Sequence, residues 1–494
     1  MSSRKRQEAI PTTLGDFSGG EADLPVSKFP VKFSTKMVNW HPTQTGGVAF
    51  VPGYARVNQN AANEAFQSGH TFIKADGTKI RLVAGGGQVY RSDGTTLTVI
   101  KSGLNAAAIV RFITANNYCI MMNGVDAPMK YDGTSVTALG GSPPATAFKG
   151  VFYKGRVWMI ERTNKLLASY SGLLAIEDYT SAHNAGYLDF TKILKTGDEL
   201  TDIESYVDLL VFYFKNHVVV YSGNTPTDYG DFQIVTQIEG AGAITDTVCS
   251  TGLDHYFLSQ IGVRSLRQAM QTGADAEDLI SKNIAQRLSG AYQSNATGTF
   301  ASAHFQRLGW YMLLIGDEIL CYAYNRGAWF RIAGADILGM FSDSDGSTVY
   351  ICGRGFLYQY DIGWTFDGKP IYREWDGAWL KFFKNQEKGF PKVLEIYATP
   401  GQDIELQLAQ RFDLNQGFPD GLQTFTVSPA PSLMDEPVPD IWENCFFMDC
   451  DDYVPDRFPL FGSGSTMQLC FSSTTPNGPC EINSEKMLYT PGGD

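Results

Sequence analysis

The residues best placed to do chemistry sit at repeated Asp-Gly turns. "VYRSDGTTLTVI" (residues 89–100) and "MKYDGTSVTAL" (residues 129–139) are near-copies, and "SDSDGSTVY" (residues 342–350) is a third relative. A carboxylate beside glycine suits a sialidase Asp-box, a calcium loop or a plain chain reversal. An Asp-box reads Ser-x-Asp-x-Gly-x-Thr-Trp, whereas here Gly follows Asp directly, so the spacing fails. A sialidase also needs a Tyr/Glu pair and three arginines, which the sequence does not locate. A calcium loop needs oxygen ligands at alternate positions and a later glutamate. The position ahead of Asp343 and Asp345 is Phe341, which has no ligand atom. A hairpin turn explains all three phrases, because Asp-Gly between alternating apolar runs supplies the positive φ that such a turn requires.

Other chemistry fails on similar grounds. Cys445, Cys450, Cys470 and Cys480 are too loosely spaced for a zinc site and have no histidine near them. Eight cysteines in 494 residues do not make a disulfide scaffold, so buried free thiols are expected. His41, His70, His183, His217, His255 and His304 fall in different units of the chain. The glycine runs at Gly85-Gly86-Gly87 and "GSGST" (residues 462–466) lack the Gly-Lys-Ser/Thr of a phosphate loop. No Gly-x-Ser-x-Gly elbow occurs, and the dense carboxylates of residues 435–452 read as a solvated face. No catalytic, cofactor-binding or metal-ligating residue is assigned. The expected class is an architectural or binding component without a cofactor.

The elements that would position these turns are short strands. The chain has 43% apolar but only 18% charged residues, with 51 Gly, 24 Tyr and 31 Phe. That composition suits strands joined by tight turns. Net charge is −13, and the only basic run, Arg4 to Arg6, reads as a solvated tail rather than a grip on phosphates. The first 14 residues carry no secretory apolar region, and no run approaches 18 apolar residues. A cytoplasmic site of synthesis is expected.

Residues 1–28 read as an extended arm, and residues 29–57 as a hairpin turning at Gly46-Gly47. From His70 onward, strand-sized units recur with turns at Asp76-Gly77, Asp93-Gly94, Asn123-Gly124, Asp132-Gly133, Lys154-Gly155, Lys215-Asn216 and Gly316-Asp317. Four antiparallel strands in about thirty residues make one propeller blade. Seven such runs can be traced. Six blades are favoured, one run being read as incomplete or part of a neighbouring element. Leu279, Ile280, Ile284 and Leu288 predict a short inserted helix over residues 275–292. The predicted fold is therefore all-β: a β-propeller of about six blades over residues 29–369, with an inserted helix, then a C-terminal β-sandwich-like domain over residues 370–494.

"DIESYVDLLVFYFKNHVVVYSGN" (residues 202–224) and "QIEGAGAITDTVCSTGLDHYFLSQIGVRSLR" (residues 237–267) resemble a segment of the packaged-DNA stabilisation proteins, the tail hub or nozzle proteins of short-tailed bacteriophages. "VPGYARV", "KYDGTSV" and "FKGVFYKGRVWMIE" upstream fit the same order. The resemblance covers roughly residues 51–366 and is carried by the order of the phrases. It implies a propeller platform in a homohexameric ring below the portal–adaptor. Such a ring continues the DNA channel, helps retain the genome and carries fibres, spikes, a needle or a plug. Its location would be the virion tail. An acidic wall would let the duplex slide, touching it only transiently and without sequence preference. Trp310, Trp329, Trp364 and Trp442 are candidates for the subunit interface, with blade core as the competing reading. The alternative function is a carbohydrate-binding or glycan-cleaving propeller, whose sugars would stack on the abundant aromatics.

Overall fold

The computed structural model describes residues 10–13, 17–25, 29–180, 184–194, 197–226, 230–273, 279–295, 298–343, 346–382, 388–415, 420–429, 456–476 and 478–491. They form two compact units, each built from separated stretches of chain. One unit comprises Tyr54–Tyr322 and Ala335–Asp361, the other Met1–Gly53, Ala323–Gly334 and Ile362–Asp494.

The first unit is a β-propeller. The chain lays down successive antiparallel meanders, of which the first is Ser68–Ile73, Lys79–Gly85, Gln88–Ser92 and Leu97–Lys101. The second is Arg111–Ala115, Tyr118–Met122, Met129–Tyr131 and Val136–Ala138. The repeated Asp-Gly phrase is thus the last hairpin of blade 1 and again of blade 2. Asp132 Oδ1 accepts from the backbone N–H of Thr134 and of Ser135, both at 2.7 Å. Gly133 follows at φ 98°, a value that favours glycine.

Blades 3 and 4 open with Ala147–Tyr153 and Leu200–Tyr206. Blade 5 has three strands, Cys249–Ser250, His255–Ser259 and Gly262–Ser265. Blade 6 contributes Phe300–Phe305, Trp310–Ile315 and Glu318–Ala323. Blade 7 has Gly339–Ser342, Val349–Cys352 and Leu357–Tyr360, and its fourth strand is Tyr54–Arg56, from the start of the unit. The first strand of blade 7 packs beside that of blade 1, so the ring closes.

Among the described residues there are therefore seven blades rather than about six. The run that reads as incomplete is blade 5, whose first strand is only two residues long. It keeps its place because Phe257 and Leu266 pack with Val211, Tyr213 and Val218 of blade 4. Between blades 3 and 4, Trp158 meets Phe212 edge-on with centroids 5.8 Å apart, and Phe190, Phe214 and Tyr221 complete a buried aromatic cluster.

After Ser265 the chain leaves the blade as helix α1, Leu266–Thr272, capped by Ser265 Oγ and ended by Gly273 at φ 83°. The sequence predicts no helix at this point. The predicted helix over residues 275–292 is displaced. Residues 274–278 lie outside the described residues, Lys282–Ile284 form a 3₁₀ turn, and helix α2 spans Ala285–Ser294 with Leu288 buried.

The second unit consists of two sheets with the character of a β-sandwich. In one, Gly389–Pro400 pairs with Cys480–Pro491, which also holds Ile10–Thr13 and the Trp40–Pro42/Val48–Phe50 hairpin. In the other, Arg373–Asp376, Thr466–Ser473, Ile404–Phe412 and Asp420–Val427 lie in succession. The Pro400-Gly401 turn carries the chain from one sheet to the other. Trp40 and Phe50 pack edge-on at 4.6 Å, and Trp375 packs on Phe471 at 5.5 Å.

The expected boundaries at residues 28 and 369 are thereby replaced. The described parts of the arm and the hairpin pair with late strands of the chain, and residues 323–334 join them. Sequence proximity cannot reveal this, because the pairing partners are over 400 residues apart.

Candidate functional site

The inner strands of the propeller carry few charges, but these meet at the axis. Lys149 interrupts the apolar run of blade 3, and Asp202 and Glu204 lie two apart on the first strand of blade 4, hence on one face. Arg111 begins blade 2, and Asp246 stands in the loop before blade 5.

The Arg111 guanidinium grips Asp246 with both arms, Nε to Oδ1 at 2.6 Å and Nη2 to Oδ2 at 2.5 Å. Lys149 Nζ donates to Asp202 Oδ2 at 2.9 Å and lies 3.7 Å from Asp246 Oδ1. Arg162 stands nearby, its guanidinium 3.8 Å from the centroid of Phe148. Beside this network is a cavity of about 180 Å³, lined among others by Gln67, Ser68, Arg111, Lys149, Asp246 and Ser302.

Burial works against the Asp246 carboxylate, yet Arg111 and Lys149 outweigh it and hold the carboxyl at about 2. Burial raises Asp202 despite Lys149, and pushes Glu204 up to about 7. Three cations, Arg111, Lys149 and Arg162, face three carboxyl groups, of which Asp246 is held low by its cationic partners while burial raises Asp202 and Glu204. Both arms of the Arg111 fork are occupied by Asp246, and Lys149 by Asp202. The arrangement locks blades 2, 3 and 4 to the loop ahead of blade 5, and the cavity has room for a few waters rather than a duplex.

The histidines are held by local partners. His70 Nε2 lies 2.8 Å from Thr114 Oγ1, its ring parallel to Phe112, and burial lowers it to about 4. His255 bonds the Tyr213 hydroxyl at 2.8 Å and is likewise lowered to about 4 by burial. His217 Nδ1 sits 2.5 Å from Asp198 Oδ2. His183 lies outside the described residues.

Six cysteines are free and buried, and burial pushes the Cys249 and Cys480 thiols up to about 12. Cys445 and Cys450 lie outside the described residues, and among the described residues no group of His, Cys, Asp and Glu could hold a metal. Gly85-Gly86-Gly87 turns a blade-1 hairpin. Asp343 accepts a hydrogen bond from Thr71, and Asp345 lies outside the described residues.

Two of the four tryptophans proposed for an interface are interior. Trp310 is 1% exposed and packs on Phe305, and Trp329 is 2% exposed. Both lie on strands buried at every position, so neither is available to a neighbouring subunit. Trp364 is half-buried, and Trp442 lies outside the described residues. Trp310→Ala should therefore destabilise the chain by about 3–5 kcal/mol, read from the denaturant midpoint, and Trp364→Ala by much less.

The axial network escaped the sequence reading. Its signal was available as single charges inside otherwise apolar strands, "FKGVFY" and "TDIESY", but which charges would meet was not.

No family model and no curated protein matches this sequence. Among solved structures, the WD40 domain of Pan2 from Neurospora crassa matches at 8% identity with a TM-score of 0.42. The match spans 65% of this chain and 97% of that domain. With its seven radial sheets and closing strand, the chain carries a β-propeller.

Proposed function

We propose that this protein is a structural component of a short-tailed phage tail. Copies assemble as a homohexameric ring below the portal–adaptor, continue the DNA channel, help retain the packaged genome and carry fibres, spikes, a needle or a plug. The carrying observation is the ordered series of strand–turn–strand phrases from residue 51 to residue 366 that resembles the tail hub proteins.

Two physical features support this reading. The axis of each propeller offers only a cavity of about 180 Å³ beside the Arg111–Asp246 and Lys149–Asp202 pairs, too small for a duplex, so the duplex would pass between copies and not through a blade ring. The net charge of −13 disfavours a tight grip on phosphate, as a passage for sliding DNA requires. The role is architectural, with no reaction assigned to it.

Electron microscopy of the full chain, alone and with its portal–adaptor, tests the reading. Six-fold rings are the expected result. Monomers under both conditions would overturn it, and glycoside turnover or glycan-array binding by the isolated chain would favour the carbohydrate reading instead.

A further inference from the structure

The turns from first to second strand and from third to fourth strand share one end of the propeller. Cross-blade bonds tie them there: Ala75 N to Asn117 Oδ1, the Tyr153 hydroxyl to Asp208 O, and the Tyr206 hydroxyl to Leu253 O. Over blades 1 and 2 this end shows the polar Asp-Gly turns. Over blades 3 to 5 it shows exposed apolar tips: Leu173 at 56%, Leu174 at 71%, Val207 at 79% and Leu253 at 78%.

These tips form a continuous row. Leu174 N donates to Gly155 O in the first turn of blade 3, Tyr153 reaches the first turn of blade 4, and Tyr206 reaches that of blade 5. Leu174 and Val207 sit at φ 55° and 54°. Glycine or asparagine is the cheap choice there, and a β-branched residue is a true outlier. Strained backbone bearing an apolar side chain into water calls for a contact outside the chain.

A second apolar patch lies on the sandwich unit, around Phe461 (62% exposed), Leu414 (48%) and Phe390 (37%). The Leu460 N–H bonds Lys392 O, Gly389 bonds Gly464, and Asp413 bonds Ser465, which draws these residues together. The charges around the two patches differ. Asp178, Asp208 and Asp231 border the propeller row against Lys154 and Arg267, while Asp76 and Asp132, farther round the same end, are accompanied by Lys74 and Arg91. Exposed Lys381, Lys388 and Lys392 border the sandwich patch against Asp413, whose carboxylate is held by Ser465. A head-to-tail contact in a ring needs two different, matching faces. One chain supplies both: apolar with acidic border, apolar with basic border.

We propose that the Leu174–Val207–Leu253 row of one copy docks on the Phe461–Phe390 patch of the next copy, forming the heterologous contact of the assembly. This rests on the ring reading above.

Sedimentation of the full-length chain across a concentration series tests it. Val207→Asn with Leu253→Ser, and separately Phe461→Ser with Lys392→Glu, should each weaken association by about tenfold or more without lowering the melting midpoint. An equal mixture of the two variants keeps one intact pair of faces and should stop at a dimer. Should either double variant fold poorly, Asp208→Lys and Lys392→Asp serve instead, each weakening assembly alone and restoring it when combined in one chain. Variants that assemble like the wild type, or a mixture that stays monomeric, overturn this contact while leaving the ring reading intact. A wild-type chain that never self-associates, even with its portal–adaptor, removes the ring reading itself.

Discussion

Asp246→Ala should cost the chain about 3–5 kcal/mol, because it removes one member of a buried charge pair and strands the other. Arg111 would lose both bonds of its bidentate grip, and Lys149 its second carboxylate at 3.7 Å. Arg162 would add to the repulsion. Replacing the pair together, as Arg111→Met with Asp246→Leu, should recover most of the loss, since the desolvation cost of both ions disappears with them. Chemical denaturation of the wild type, Arg111→Met, Asp246→Leu and the double variant gives the coupling directly. The wild type should also show an acid limb with a defined sign. The Asp246 carboxyl is held at about 2, below its unfolded value, so its contribution is complete above the ordinary aspartate range and is lost as pH falls through about 2. Asp246→Ala should flatten that limb.

Glu485→Gln should do the opposite and stabilise the chain at neutral pH. Glu485 is 1% exposed on the strand Cys480–Pro491, opposite Ile396. Neither of its carboxylate oxygens has a hydrogen-bond partner, and neither does Trp375 Nε1. Both side chains line a cavity of about 20 Å³ with Phe17, Ala378 and Leu469. Burial alone pushes the carboxyl from 4.5 up to about 8. The folded chain therefore retains a proton that the unfolded chain releases. Stability from this group falls as pH rises through the interval between those two values and levels off above it. Near pH 7 the penalty is about 3 kcal/mol, and Glu485→Gln should remove most of it. Melting midpoints at pH 4 and pH 7.5 check this: a gain at the higher pH and almost none at the lower. An equal gain at both would mean that packing, not ionisation, is the cause.

The two effects show where sequence reasoning stops. Asp-Gly turns are local, because the glycine φ and the bonds from Asp132 to Thr134 and Ser135 lie within four residues. The sequence alone therefore reads them as hairpins. The alternation within the blade strands is equally local, and it is why the meanders and the all-β class are legible. Lys149, Asp202 and Glu204 are visible as charges in apolar strands, yet nothing local says that Arg111 and Asp246, 135 residues apart, will close on one another. Glu485 reads as an ordinary polar position in the alternation "CEINSEKMLYTP", and only packing against Trp375 and Leu469 buries it.

The blade count failed for the same reason. Blade 5 has a two-residue inner strand, and blade 7 borrows Tyr54–Arg56 from the start of its unit, so neither advertises itself as a four-stranded phrase. The tryptophans illustrate the limit for surfaces. Residue type marks Trp310 and Trp329 as suited to an interface or to a core, and burial in the folded chain gave them to the core.

Turn chemistry, strand periodicity and the acidic balance are legible in the chain's order of residues, since each depends on neighbours within a few residues or on composition. The tertiary structure decided the closure of the ring, the mixing of early and late segments in the second unit, the ion pairs at the axis and the row of apolar tips. These depend on which distant segments meet, and hydrophobic burial, being non-directional, leaves that choice open until the strands pair and the blades pack.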